Sequence, residues 1–210
     1  FVSYTISQIS KEFDYLRFGE KYIVNIEIKG ELSEDEKKEK ILPQMQENYY
    51  YLKFAQKTIC IITYVEYDGF YQYDFKENVA KKIQSEVVAE YLKNQSIDYS
   101  VNPDELFVPS NYLISPFNAT EKFMKGEYFL TDAQKNIKKE IAAELEINPF
   151  MFFCLSANAG TGKTLLLYDI AKEKMALGKN VLLIHCGVLN EGHTKLITEY
   201  HWDINKFYSV

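Results

Sequence analysis

The residues whose types and spacing most clearly predict chemistry run from Ala157 to Thr164 and read Ala-Asn-Ala-Gly-Thr-Gly-Lys-Thr. They follow the phosphate-binding pattern Gly-x4-Gly-Lys-Ser/Thr, with alanine at the first glycine position. Gly160 and Gly162 allow successive backbone amides to turn inward around a β-phosphate. Lys163 would neutralise the β- and γ-phosphates, and Thr164 would offer its hydroxyl to Mg²⁺. The loop therefore predicts ATP and Mg²⁺ as cofactors. The residues assigned to the nucleotide are Ala159, Gly160, Thr161, Gly162, Lys163 and Thr164, and Thr164 is also assigned to the metal.

A second group of charged residues, Asp14, Glu27 and Lys29, lies near the amino terminus. Glu27 and Lys29 belong to an apolar run over 22–29 whose strict alternation predicts a strand, so both side chains point to one side. Asp14 lies in the preceding predicted strand and can approach that side. Two carboxylates can hold Mg²⁺ or Mn²⁺, and the metal and the lysine can then activate a water against a phosphodiester. A charged pair in an apolar strand is costly unless it is partnered. The alternative interpretation is a solvated charge pair on a surface hairpin.

The order of Asp14, a hairpin, Glu27-Ile28-Lys29 and a glutamine-bearing helix resembles the PD-(D/E)xK nuclease family. The resemblance implies a restriction-endonuclease-like α/β fold and metal-dependent cleavage of phosphodiesters. In that family a glutamine on the next helix often completes the site; Gln44 is the best match and Gln46 the second. A glutamate on the first helix is also common, and Glu12 is the candidate. The proline that often precedes the first aspartate is absent. The implied catalytic residues are Asp14, Glu27, Lys29 and Gln44, with Asp14 and Glu27 as metal ligands.

The segment Leu130–Gln134, a helix and the loop at 160–164 together resemble the opening of superfamily 1 helicases and related bacterial ATPases. The resemblance implies a RecA-like P-loop domain and an ATP-driven motor, in which Gln134 reads the adenine edge. Thr131 and Gln134 also have the spacing of a capping box, which stabilises any helix start, and the two interpretations are compatible. The acidic Walker B motif, the arginine fingers and the second lobe are missing. We therefore expect a truncated domain that hydrolyses ATP poorly.

The elements that must position these residues fall into two groups. For the first group, the patterns predict helices over 3–13, 41–54 and 77–92, strands over 14–18, 22–29, 58–67 and 70–75, and a charged, solvated run over 31–40. For the second group, they predict helices over 132–145 and 163–177 and strands over 150–156 and 180–186. A strand, a helix and a strand in this order form a βαβ unit with a parallel sheet. Pro103, Pro109 and Pro116 interrupt the segment between the groups, which predicts a connector.

The predicted organisation is therefore α/β in two domains. A nuclease-like domain with a mixed sheet spans 1–97, a connector spans 98–128, and the amino-terminal part of a P-loop ATPase spans 129–210. The chain has 210 residues, 47% of them hydrophobic, which is an ordinary globular composition. No stretch approaches the ~20 apolar residues of a membrane span. Because there is also no signal-peptide pattern, we expect a cytoplasmic protein with no membrane partner.

Together these patterns predict a nucleic-acid-processing enzyme that combines a metal-dependent nuclease-like domain with a helicase-type ATPase, in a role such as prokaryotic defence. The expected partners are ATP and nucleic acid, with DNA favoured over RNA, and self-association into a homo-oligomer stays open. The net charge of −6 does not favour nucleic acid, although a basic groove can lie on an acidic protein. The alternative is a nucleotide-binding regulatory ATPase whose amino-terminal domain is a non-catalytic docking module for nucleic acid or protein.

Overall fold

The computed structural model describes residues 1–6, 11–55, 57–108 and 112–207. The chain divides into two compact units, Phe1–Tyr112 and Leu113–Val210. The segment that we predicted to be a connector is divided between them. Phe107 and Tyr112 are buried in the first unit, whereas Phe123 and Tyr128 are buried in the second.

The first unit contains a six-stranded mixed sheet within the described residues, with its strands in chain order. The strands are β1 (Val2–Ile6), β2 (Lys11–Phe18), β3 (Tyr22–Lys29), β4 (Thr58–Val65), β5 (Gly69–Asp74) and β6 (Val79–Ile83). The helices are α1 (Glu34–Leu52), α2 (Ser85–Lys93) and α3 (Pro103–Leu106). β3 and β4 are parallel, and the other neighbouring pairs are antiparallel. A parallel pair needs a crossover connection, and α1 supplies it. The predicted mixed sheet is confirmed.

The two faces of the central strands carry different side chains because alternate residues point to opposite sides. On one face, Val24, Cys60 and Ile62 are buried with Val88 of α2 in an apolar cluster. On the other face, Asn25 and Glu27 are buried and bond to side chains of α1. The polar face of β3 therefore lies under α1.

α1 begins earlier than the sequence predicted. We expected a solvated run over 31–40 and a helix from 41, but the helix begins at Glu34. Ser33 and Glu36 form a complete capping box, and Lys40 pairs with Glu36 one turn away. These local contacts stabilise a charged helix that has no apolar stripe in its first turns. Pro43 consequently lies inside the helix instead of in its first turn.

One predicted helix of the first unit is wrong, and a second is wrong over its first half. The helix expected over 3–13 is replaced by β1 and the start of β2, which pair antiparallel, while residues 7–10 lie outside the described part. The helix expected over 77–92 is replaced by β6, which pairs with β5, followed by α2 from Ser85. In both places pairing with a neighbouring strand overrides a helical spacing of apolar residues.

The second unit contains α4 (Thr120–Met124), α5 (Asp132–Ile147), α6 (Lys163–Ala176), β7 (Leu182–His185), α7 (Glu191–Tyr200) and β8 (Asp203–Lys206). β7 and β8 are parallel, with α7 between them in the chain. The core of this unit brings together Leu166, Tyr168, Leu196 and Trp202 with the aromatic side chain of Phe123. A βαβ unit is therefore present, formed by β7, α7 and β8.

The strand that we predicted over 150–156 is wrong: within the described residues this segment has no strand pairing. Its apolar side chains are exposed, and Phe152 reaches 101% of full exposure. A strand requires a neighbouring strand to accept its hydrogen bonds, and β7 pairs only with β8 among the described elements. The βαβ unit therefore begins at β7 instead of before the loop at 157–164. No helix in the described part of the chain is long and apolar enough to cross a membrane.

Candidate functional site

The first candidate site is built around the side chain of Glu27, which is only 2% exposed. Its Oε1 accepts hydrogen bonds from Nδ2 of Asn25 at 3.0 Å and from Nδ2 of Asn48 at 2.9 Å. Its Oε2 accepts a hydrogen bond from Nε2 of Gln44 at 2.7 Å. Three amide donors therefore fix the orientation of a buried carboxylate.

Elementary periodicity explains why these four side chains meet. Asn25 and Glu27 are two residues apart on β3 and share one face of the sheet. Gln44 and Asn48 are four residues apart on α1 and share one face of the helix. The structure brings the two faces together, so the predicted pair Glu27 and Gln44 is in direct contact.

Asp14 is held beside the Glu27-Ile28-Lys29 segment by a bond to its backbone. Oδ2 of Asp14 accepts a hydrogen bond from the backbone N–H of Ile28 at 2.8 Å. The regular pairing of β2 with β3 ends at Tyr15 and Ile26. Just beyond it, the Asp14 side chain, and not a backbone carbonyl of β2, accepts the Ile28 N–H. Asp14 and Lys29 both also act electrostatically on Glu27. The structure therefore brings together the three residues predicted from spacing.

The electrostatics of Glu27 reflect burial opposed by polar contacts. Burial raises the pKa of the Glu27 carboxyl, and the hydrogen bond from Asn25 lowers it. The charge of Asp14 raises the pKa further, whereas Lys11 and Lys29 lower it, and the net direction is upward. Two neighbouring carboxylates thus repel one another, and a cation beside them favours the ionised form of both.

Lys11 is a site residue that sequence reasoning missed. Its Nζ lies 3.5 Å from Oε2 of Glu47, and both side chains are largely buried at 12% exposure. The charge of Lys11 also lowers the pKa of Glu27. We had placed Lys11 in a helix, and only its position on β2 directs it to this cluster. A second lysine therefore accompanies Lys29 at the carboxylates.

Two buried oxygens of the cluster have no hydrogen-bond partner among the described residues: Oδ1 of Asn48 and Oγ1 of Thr63. Thr63 is paired with Glu27 in the register of β3 and β4, so it lies beside the carboxylate. A buried polar atom without a partner costs about 1–3 kcal/mol. Neutral oxygens beside a carboxylate are ligands that Mg²⁺ and Mn²⁺ accept, so the donor set fits a hard cation. The carboxylates here number two, Asp14 and Glu27, and the described residues contain no group of three or more His, Cys, Asp or Glu side chains placed to hold a metal.

The runner-up residues lie elsewhere. Gln46 donates through Nε2 to Oδ1 of Asn78 at 2.8 Å, so it serves the contact of α1 with the turn before β6. Glu12, which we expected on a first helix, is an exposed residue of β2. Of the two candidate glutamines, Gln44 is therefore the one bonded to Glu27.

The second candidate site is the loop before α6. Gly160 and Gly162 have φ values of +80° and +79°, in the left-handed region that favours glycine. Gly162 is the residue before α6, and within the described residues no side chain caps the amides of the first turn. Uncapped amides at a helix start can bind an anion. The loop thus has the backbone conformation that its glycines predict.

The other residues of the loop are accessible. Nζ of Lys163 donates to the carbonyl oxygens of Ala157 at 2.8 Å and Asn158 at 2.7 Å. Oγ1 of Thr161 donates to the same Asn158 carbonyl at 2.9 Å. Ala159 and Thr164 are exposed. Lys163 is therefore folded back over the loop, where two of its three N–H donors are used by loop carbonyls.

Gln134 lies against this loop. Oε1 of Gln134 accepts from the backbone N–H of Thr131 at 2.9 Å, and the Gln134 N–H donates to Oγ1 of Thr131, so the capping box is complete. Nε2 donates to the carbonyl of Thr161 at 3.1 Å and lies 3.4 Å from the carbonyl of Gly162. The capping-box interpretation of this residue is therefore confirmed.

Comparison with known proteins adds no family to this geometry. No family model, no curated protein and no solved structure matches the chain. The interpretation of both candidate sites therefore depends on the contacts, burial and charges of their own residues.

Proposed function

We propose that the chain is a nucleic-acid-processing enzyme whose first unit, similar to PD-(D/E)xK nucleases, hydrolyses phosphodiesters with a divalent cation, and whose second unit binds ATP with Mg²⁺. The observation that carries the proposal is the hydrogen bond that the backbone N–H of Ile28, between Glu27 and Lys29, donates to the Asp14 carboxylate. This bond places two carboxylates and a lysine around one short stretch of β3. That combination suits a reaction in which negative charge builds up on a phosphate.

Each side chain has a defined task in the proposed reaction. Asp14 and Glu27 would hold Mg²⁺ or Mn²⁺, which supplies Lewis-acid activation of water and phosphate when bound. Gln44 keeps the Glu27 carboxylate in place through its bond to Oε2. Lys29 neutralises charge on the phosphate and orients the attacking water. The attacking water gives up a proton to solvent and forms the new P–O bond, the bond to the leaving oxygen breaks, and that oxygen takes up a proton from solvent.

The proposal is tested by cleavage of end-labelled single-stranded DNA, duplex DNA and RNA with Mg²⁺ or Mn²⁺. We expect cleavage, with DNA preferred, and a fall of at least about 100-fold in Lys29→Met, the scale of losing one group that stabilises charge in the transition state. Lys38→Met is the matched control, because Lys38 lies on α1 with 77% of its side chain exposed. Equal cleavage by wild type and Lys29→Met would contradict the proposal.

The nucleotide site is tested separately by the affinity for ATP. Lys163→Ala removes the ammonium that would meet the phosphates, and we expect its Kd for ATP to rise by at least about tenfold, the effect of 1.4 kcal/mol. The control is Lys179→Ala, an exposed lysine of the same unit. Unchanged ATP affinity in Lys163→Ala would rule out the loop as the nucleotide site.

A second candidate function is a nucleotide-binding regulatory protein whose first unit docks nucleic acid or protein without cutting. The observation that favours it is that both oxygens of Glu27 already accept amide donors. A buried carboxylate satisfied in this way can serve as a structural polar core. Binding of nucleic acid that responds to ATP, with no cleavage under any divalent cation, would support this candidate over the first.

A further inference from the structure

We propose that Gln134 is a positioning residue for the phosphate-binding loop and controls the affinity for the phosphates of any nucleotide, whichever base it carries. The inference rests on the proposed nucleotide binding of the second unit. It differs from the role that the helicase resemblance implies, in which Gln134 reads the adenine edge.

The first observation is that the side-chain amide of Gln134 is hydrogen-bonded through both its oxygen and its nitrogen. Gln134 is only 8% exposed. Its Oε1 accepts the backbone N–H of Thr131, and its Nε2 donates to the carbonyl of Thr161 and approaches the carbonyl of Gly162. Recognition of an adenine edge needs one free donor and one free acceptor on the amide. Here Oε1 accepts from the capping box and Nε2 donates to the loop, so contact with a base would have to share an amide that already holds the loop.

The second observation concerns the backbone N–H groups that follow the Thr161 and Gly162 carbonyls. In a trans peptide the C=O and the following N–H point in opposite directions in one plane. A bond to the Thr161 carbonyl therefore fixes the direction of the Gly162 N–H, and a contact with the Gly162 carbonyl fixes the Lys163 N–H. The Gly162 carbonyl also accepts the Leu166 N–H at 3.0 Å, so this peptide is held from the helix as well. Gln134 thus aims two amides away from itself, toward the side that a phosphate would occupy.

The third step is steric. Gly162 has a positive φ, and a Cβ added to it would overlap Nε2 of Gln134. Glycine at this position therefore allows both the left-handed turn and the close approach of the glutamine. The capping box holds Gln134 in turn, because its Oε1 is tied to the first turn of α5. The start of α5 and the phosphate loop are consequently connected through one side chain.

The test compares Kd values for ATP, GTP, ADP and inorganic pyrophosphate in the wild type, Gln134→Met and Thr131→Val. Gln134→Met keeps the length of the side chain and removes both polar atoms. Thr131→Val removes the Oγ1 acceptor of the capping box and leaves the contacts of Nε2 with the loop. Melting temperatures and circular dichroism establish that each variant is folded.

We expect Gln134→Met to weaken all four ligands by a similar factor of about tenfold, because two hydrogen bonds that orient the amides are lost. Thr131→Val should weaken them by less than about threefold. Amide exchange at Gly162 and Lys163, measured without nucleotide, should become faster in Gln134→Met and stay near wild type in Thr131→Val.

Three results would overturn the inference. A loss confined to ATP and ADP, with GTP and pyrophosphate unchanged, would mean that Gln134 reads the base. Unchanged affinities and unchanged amide exchange in Gln134→Met would mean that the contact does not position the loop. A wild type that binds none of the four ligands would overturn the proposed nucleotide binding and this inference with it.

Discussion

At the scale of single residues, the most constrained group is the Glu27 carboxylate, which is buried among amides and has charged neighbours of both signs. Asn25, Gln44 and Asn48 satisfy its oxygens, while Asp14 repels it. A buried, partnered carboxylate close to a second carboxylate is typical of functional sites, where folding stability is reduced in favour of chemistry.

The raised pKa of Glu27 predicts a pH dependence of stability. Because the folded-state pKa lies above the ordinary value of 4.5, the folded chain binds this proton more tightly than the unfolded chain. The stabilising contribution is fully present below about pH 4.5 and is lost as the pH rises through the raised pKa. In urea unfolding without divalent cations, the wild type should therefore lose stability relative to Glu27→Gln as the pH rises above about 4.5. Glu31→Gln, at an exposed position, is the control; a change of the same size there would contradict the assignment to Glu27.

The sequence predicted part of this site because part of it is local. Alternation along β3 is enough by itself to place Asn25, Glu27 and Lys29 on one face. Asn48 and Thr63 were missed because their places depend on how α1 and β4 lie against β3, which no short pattern encodes. Gln44 was found only through the family resemblance, although its spacing of four from Asn48 was visible in the sequence.

At the scale of elements, α1 carries two of the side chains that bond Glu27, and a capping box stabilises its start. The Ser33 hydroxyl accepts a hydrogen bond from the Glu36 N–H, and the Glu36 carboxylate accepts one from the Ser33 N–H. The helix interior also tolerates Pro43, which cannot donate a backbone hydrogen bond. The capping box therefore helps to stabilise α1, whose interior is weakened by Pro43.

Ser33→Ala should destabilise the first unit by about 1 kcal/mol, the usual cost of losing an N-cap side chain. The measurement is the free energy of unfolding from urea titration. Ser85→Ala provides a control at the start of α2, because the hydroxyl of Ser85 bonds only the exposed Glu86 among the described contacts. Equal effects of the two substitutions would contradict the role of the Ser33 cap.

Element type was predictable where the pattern is local and unpredictable where pairing decides. The strand Tyr22–Lys29 has strict alternation in the sequence and is a strand in the structure. β6 was predicted as a helix because its apolar residues have helical spacing. Its pairing with β5 is not visible in that local pattern. The segment over 150–156 has the composition of a strand but has no paired neighbour in the described part of the chain.

At the scale of the whole molecule, the two candidate sites belong to separate units of the chain. The carboxylate cluster and its lysines lie in the first unit, and the phosphate-binding loop with Gln134 lies in the second. Each unit has its own buried apolar cluster, so each site is supported by its own core. If Asp14 and Glu27 hold the cation, a divalent cation binds in the first unit when no nucleotide is present.

Cation binding tests this requirement more directly than cleavage, which a trace of contaminating nuclease could imitate. The measurement is a titration with Mn²⁺, without nucleotide, in which free Mn²⁺ is followed by electron paramagnetic resonance for the wild type, Asp14→Asn and Lys163→Ala. We predict that the wild type and Lys163→Ala bind Mn²⁺ with the same affinity, and that Asp14→Asn loses this binding because an amide oxygen replaces a charged ligand. Equal binding by Asp14→Asn and the wild type, or no binding by the wild type, would contradict the central claim that Asp14 and Glu27 hold the cation.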